Sequence, residues 1–215
     1  MSRLQTTVGK VWARLSDRLL DFQPYIRTLE IDGRPIRFFY ATAQAASWYD
    51  PLKEKNRREL EWLVRHIEPE GQKIIDAGAY HGLYALVFAK TAGPLGEVVA
   101  VDPVPSNAAV IEANLAINGL GGRVETCAIS NADGEVGFSS DSCGHIVERG
   151  GIRRPSRRLR SILPDAAIVK LDTIIGAARN TFGNLKRDSQ FSDVRIERDL
   201  EISRVARRAL TDGAV

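Results

Sequence analysis

Between Lys73 and Phe138 the chain alternates short apolar runs with longer segments of helical periodicity. KIIDA, GEVVAVD and RVETCAIS read as strands, and GLYALVFAKTA and SNAAVIEANLAINGL as helices. Asn131–Gly134 is a turn leading into one more strand, EVGFSS. Apolar strands separated by helices predict a parallel sheet covered on both faces. The expected fold class is therefore α/β, with a doubly wound parallel sheet. The second helix opens at Ser106 and closes at Asn118-Gly119, in line with the preference for Ser at the N-cap and Gly after the C-cap.

Upstream, TLEIDGRPIRFFY sets Asp32-Gly33 between alternating runs, a hairpin signal. YDPLKEKNRRELEWLVRHIEPEG reads as one helix, with Asp50 as N-cap and Pro51 at the first helical position. Leu60, Leu63, Val64 and Ile67 form its apolar face, and Pro69 and Gly71 mark its exit. The N-terminal segment aligns Val11, Leu15 and Leu19 as an amphipathic helix, read as a docking or packing helix ahead of a membrane-surface anchor.

After Ser140 the periodicity fades. GHIVERGGIRRPSRRLRSILPDA carries five arginines between Arg153 and Arg160 and reads as a mobile, solvated loop. A phosphate- or nucleic-acid-binding loop is the alternative, since Arg pairs well with phosphate. No aromatic interleaves with these arginines, which counts against base stacking. AIVKLDTII reads as a short strand leading into a helix, and the segment from Phe191 to Val215 as one more strand and a terminal helix. The expected division is a helix-and-hairpin accessory element over residues 1–46 and an α/β domain over 47–215.

Composition narrows the setting. The 215 residues suit one domain with a substantial core and a small accessory element. A formal charge of +3 is too small to imply nucleic acid by itself. Cys127 and Cys143 are too few for a disulfide framework, which points to a reducing, cytoplasmic compartment. No apolar run approaches the roughly 18 residues of a membrane span. The N-terminal segment lacks the continuous apolar centre of a secretory signal. Neither an H-x-x-H pair nor a carboxylate cluster argues for a metal.

The most informative chemistry lies in the turn Asp76-Ala77-Gly78-Ala79-Tyr80-His81-Gly82. Ligands of parallel α/β sheets sit outside the carboxyl ends of the strands. Gly78 removes a Cβ where backbone turns sharply or approaches a ligand, and Gly82 allows close strand–helix packing. A dinucleotide fingerprint needs G-x-G-x-x-G, whereas this turn has G-x-x-x-G with Tyr80 and His81 in the gap. A P-loop is excluded, because no Lys-Ser/Thr follows. On this segment alone a turn without ligand stays open. The next strand ends in Asp102, followed by Pro103, and an acidic residue there is positioned for both hydroxyls of a ribose. Together the two features favour an adenosine-like ligand without a phosphate cradle, a description that S-adenosylmethionine meets. Asp76 faces the end where that cofactor's ammonium needs an acidic partner.

These residues resemble the FkbM-type S-adenosylmethionine-dependent methyltransferases. IIDAGAYHGLYALVFAK looks like that family's first motif, of the form D-x-G-A-x-x-G. VVAVDPVPSNAAVIEANLAINGL is similar to its second block, RVETCAISNADGEVGF to its third, and VKLDTII to its Leu-Asp segment. The resemblance covers roughly 47–175. It implies a Rossmann-like sheet of the class I methyltransferase type, and a methyltransferase domain over 47–215. It also implies cofactor contacts from Asp76, Gly78, Ala79 and Gly82, ribose contact from Asp102 with Pro103 shaping the loop, and adenine near Cys127–Ile129, hence at Ala128. The implied reaction is O-methylation of a sugar or glycosylated small molecule, so the expected partner is a carbohydrate-like acceptor.

The family's strand of the form K-I-D-V-E-G has its nearest counterpart in VRIERDLEI, where Glu197 stands for Asp and the glycine is missing. The family continues into two more strands, so the resemblance implies a sheet incomplete at the C-terminus. A protein that binds S-adenosylmethionine or a partner without catalysis is therefore the alternative. His145 and Glu197 are the candidates for a general base. His81 reads as support for the turn, and His66 as a surface or packing residue. A nicotinamide oxidoreductase is disfavoured by the glycine spacing. A nucleic-acid methyltransferase lacks the Asn/Asp-Pro-Pro-aromatic tetrad of enzymes acting on base amino groups.

Overall fold

The computed structural model describes residues 22–66, 69–139, 144, 146–147 and 150–171, and the backbone of 195–197. The chain divides into two compact units, Met1–His66 and Ile67–Val215. The proposed N-terminal helix lies outside the described residues.

In the first unit, β1 (Tyr25–Ile31) and β2 (Arg34–Tyr40) pair antiparallel from Ile31↔Arg34 to Tyr25↔Tyr40. Asp32 and Gly33 both have positive φ, 50° and 69°, which suits a tight two-residue hairpin turn. Strand alternation buries Leu29, Ile31, Ile36, Phe38 and Tyr40. Two helices follow, α1 (Ala43–Tyr49) and α2 (Glu54–His66). The single helix expected to start at Asp50 is thus corrected. Asp50 closes α1, its N–H bonding to the Ala46 carbonyl at 2.8 Å. Its carboxylate accepts from the Tyr25 hydroxyl and from Arg27, both at 2.5 Å. Those long-range partners, invisible to local pattern, take the side chain away from any capping role. Leu60 and Leu63 are buried on α2 as the periodicity predicts, and His66 is exposed, stacked on Trp62.

The second unit is built on a parallel sheet in the order β11-β10-β3-β4-β5. Its strands are β3 (Lys73–Ala77), β4 (Glu97–Val101), β5 (Arg123–Glu125), β10 (Ile168–Leu171) and β11 (Arg195–Glu197). From β3 the chain runs outward through β4 to β5, then returns to β10 on the other side of β3. Strand order therefore reverses between β3 and β10, which makes the sheet doubly wound and Rossmann-like. Helices α3 (Leu83–Ala92) and α4 (Pro105–Ile117) connect the strands on the β4 side. On one face Ile75, Ala77, Val99, Val101, Val169 and Leu171 form a core with Cys127, Ile129, Leu159, Ile162, Leu163 and Ala166. The alternate residues Ile74, Asp76, Val98 and Ala100 belong to the other face. α3 is apolar nearly all round and buries Leu83, Leu86, Val87 and Phe88, the pattern of an interior helix.

Three local expectations change. Pro105, not Ser106, begins α4, because proline's fixed φ suits the first helical position; Val104 is the N-cap. RVETCAIS breaks into β5 and β6 (Ala128–Ile129), which belong to different sheets. The arginine-rich segment is ordered secondary structure, β9 (Ile152–Arg157) followed by the one-turn α5 (Leu159–Ile162). β9 pairs antiparallel with β7 (Gly134–Phe138) and parallel with β6, in a second sheet completed by β8 (Ile146–Val147). Acidic partners hold three of the segment's five arginines: Arg153 pairs with Glu135 and Arg157 with Glu125, both at 3.3 Å, and Arg158 with Asp133 at 3.4 Å. Asp133 also accepts the Arg158 N–H at 2.7 Å and the Ser161 hydroxyl at 2.8 Å, and these bonds hold its carboxyl down to about 2. Among the described residues no helix is long and apolar enough to cross a membrane. Among those residues, too, no group of His, Cys, Asp and Glu is arranged to hold a metal ion.

Candidate functional site

Asp76 is the penultimate residue of β3 and fully buried. Its cross-strand partner on one side is the small Ala100, and on the other Lys170, the penultimate residue of β10. In-register neighbours on adjacent strands share a sheet face, and Lys170 Nζ lies 3.2 Å from Asp76 Oδ1. That contact is an ion pair by distance but lacks the alignment of a hydrogen bond, and neither carboxylate oxygen has a hydrogen-bond partner. Lys170 Nζ also sits 4.2 Å from the centroid of the Tyr84 ring, on the first turn of α3. A buried carboxylate with no hydrogen bonds is costly and thus marks a position suited to a ligand's donor.

The turn that follows β3 is held by its own protein. The Gly78 and Ala79 N–H groups both donate to the Val101 carbonyl, at 2.8 and 3.1 Å. The Tyr80 N–H donates to Asp102 Oδ2 at 2.9 Å, and the Gly82 N–H to the Ala79 carbonyl at 2.7 Å. These four amides are thus engaged, whereas a pyrophosphate needs such groups pointing at it. Gly78, Tyr80 and Gly82 have φ of 78°, 53° and 82°. At Gly82 a Cβ would also lie 3.0 Å from Ile111 Cγ2, so this glycine lets α3 approach α4.

Asp102 stands just past the end of β4, as the sequence implies, but much of its carboxylate is occupied. Oδ1 accepts the Val104 N–H at 2.9 Å and the Asn107 amide at 3.1 Å, while Oδ2 accepts the Tyr80 N–H. Burial pushes its carboxyl up to about 6, against the lowering effect of these three bonds. Asp102 therefore clasps the glycine turn to the start of α4. His81 is buried with Nδ1 unpartnered, and burial takes its imidazole down to about 4, so it is neutral near pH 7. Its ring stacks on Tyr80 at 4.0 Å, and its carbonyl accepts from Asn114 Nδ2 at 2.9 Å. The supporting role read for His81 is what its contacts describe.

Pro103 is buried beside Asp102, and Ala128 is buried on β6. His145 lies outside the described residues. Glu197 is on β11, in register with Lys170. Three residues were missed by the sequence reading: Lys170, Asn107 and Asn114. A lysine inside an apolar strand was one available signal, and two asparagines seven apart on an apolar helix were another.

The methyltransferase FkbM domain model matches residues 76–175, from the buried aspartate to just beyond β10. Over these residues the chain is similar to FkbM methyltransferases. S-adenosylmethionine is the methyl donor of this family. Within residues 76–175, Ile168–Leu171 lies beside β3 and pairs with it in parallel.

Comparison with solved structures finds similarity at low identity. The Thermus thermophilus 16S rRNA N2 G1207 methyltransferase, in complex with AdoMet and guanosine, is 15% identical with a TM-score of 0.46, over 70% of this chain and 33% of that one. A SAM-dependent methyltransferase from Agrobacterium tumefaciens is 14% identical with a TM-score of 0.43, over 70% and 40%. A SAM-dependent O-methyltransferase from Thermotoga maritima is 17% identical with a TM-score of 0.39, over 73% and 50%. The chain thus spans a third to a half of the length of these structures. No curated protein matches it significantly.

Proposed function

We propose that the chain binds S-adenosylmethionine at the carboxyl ends of β3, β4 and β10, and methylates a hydroxyl of a sugar or glycosylated small molecule. The observation that carries this reading is Asp76: buried, without hydrogen bonds, and at the point where strand order reverses. Its carboxylate accepts the α-ammonium of the donor. Gly78 and Ala79 offer backbone rather than bulk beside it. Asp102 Oδ2, carrying one hydrogen bond, retains accepting capacity for the ribose hydroxyls. Pro103 shapes the loop after β4, and Ala128 borders the adenine.

Bound there, the donor supplies an electrophilic methyl on a sulfonium. The chain's task is alignment of the acceptor oxygen and removal of its proton. His145 and Glu197 remain the proposed bases; register with Lys170 brings Glu197 to the same sheet edge as Asp76. The acceptor class is tested by transfer of labelled methyl groups to a panel of glycans and glycosylated small molecules. Labelling of glycans that requires His145 or Glu197 supports the proposal. S-adenosylhomocysteine binding without transfer to any acceptor would favour a binding-only protein, and labelling of RNA alone would overturn the sugar assignment.

A further inference from the structure

The Asp76–Lys170 pair is harder to explain by stability than by recognition. A buried ion pair loses about as much in desolvation as it gains in attraction, so apolar residues of similar volume serve a fold as well. Here the pair occupies penultimate positions of two adjacent parallel strands, in register, on either side of the strand-order reversal. Lys170 Nζ rests against the Tyr84 ring face, which stabilises a cation without cancelling its charge. Asp76 offers two buried oxygens with no hydrogen bond. One anionic and one cationic centre thus stand side by side where the cofactor's amino-acid end is placed. An α-amino acid carries the same two charges in reverse, on groups attached to one carbon.

We propose that Lys170 binds the α-carboxylate of the donor while Asp76 takes its α-ammonium, so that the pair reads the zwitterion. This inference rests on the reading of the site as an S-adenosylmethionine site. Its physical sense is charge balance: a zwitterion docked on an ion pair buries no net charge. Lys170 is then a specificity residue that favours the complete cofactor over analogues lacking the carboxylate.

Calorimetry with two ligands isolates the contact. S-adenosylhomocysteine and its decarboxylated analogue share adenosine, thioether and ammonium, and differ in the carboxylate alone. For the wild-type chain the expected preference for S-adenosylhomocysteine is about tenfold or more, as befits a charged hydrogen bond. In Lys170→Met that preference falls to about one, and Lys170→Arg recovers part of it. The ratio cancels any general disturbance at Asp76, because both ligands keep the ammonium. If Lys170→Met fails to fold, the double variant Asp76→Asn/Lys170→Met removes both buried charges and carries the same comparison. Equal wild-type affinities, or a preference that survives loss of the Lys170 charge, overturns the inference while leaving the cofactor site standing. Failure of wild type to bind either ligand overturns the cofactor reading itself.

Discussion

Asp102 and His81 meet at the glycine turn with opposite responses to acid. Asp102 titrates near 6, above the usual carboxylate range, so its contribution to stability is full below about pH 4 and is lost as pH rises through 6. His81 titrates near 4, below its ordinary value, so its contribution is present above about pH 6.5 and is lost as pH falls through 4. The two slopes oppose each other across this window, each on the order of 3 kcal/mol at most. Relative to wild type, Asp102→Asn should lose stability progressively as pH falls from 6 to 4. His81→Phe should gain it over the same interval. Urea denaturation at a series of pH values checks both signs, and two variants that parallel the wild-type profile would refute the assignment. Asn114 supports the same turn from α4. Asn114→Ala removes the donor to the His81 carbonyl from a fully buried position and should cost about 1–3 kcal/mol in the same measurement.

At the scale of elements, the helix after β3 depends on the glycine at its N-cap, Gly82. Gly82→Ala combines a φ of +82° with a Cβ pressed against Ile111, and should cost about 1–3 kcal/mol. Gly121→Ala is the matched control: a Cβ there meets nothing within 4 Å, and the change should stay within about 0.5 kcal/mol. Equal unfolding midpoints for the two variants would remove the argument for close α3–α4 packing. From β3 to α4 the elements were legible because each carries its signal locally, in apolar runs and Asn118-Gly119. The arginine-rich segment was not, because what orders it lies at a distance: Glu135, Asp133 and Glu125 are 18, 25 and 32 residues from the arginines they hold. Asp50 misled for the same reason, its partners Tyr25 and Arg27 being 25 and 23 residues away.

Across the whole molecule, a parallel sheet was readable from strand composition, but strand order was not. Nothing local in IVKL says that it lies beside β3 rather than at an edge, so Lys170 gave no sign of facing Asp76. Asp76, Gly78 and Asp102 were legible as a group because strand–turn–helix syntax fixes which ends of β3 and β4 come together. Asp102's hold on the turn was hidden, since it depends on the rotation of one side chain. The central claim, that this edge of the sheet holds S-adenosylmethionine, is tested most directly by calorimetry on the full chain. S-adenosylhomocysteine and NAD are titrated into wild type, Asp76→Asn and Asp102→Ala. S-adenosylhomocysteine should bind the wild type and NAD should not, with both variants weakened about tenfold or more. Binding of NAD alone, or unchanged S-adenosylhomocysteine affinity in both variants, would contradict the claim.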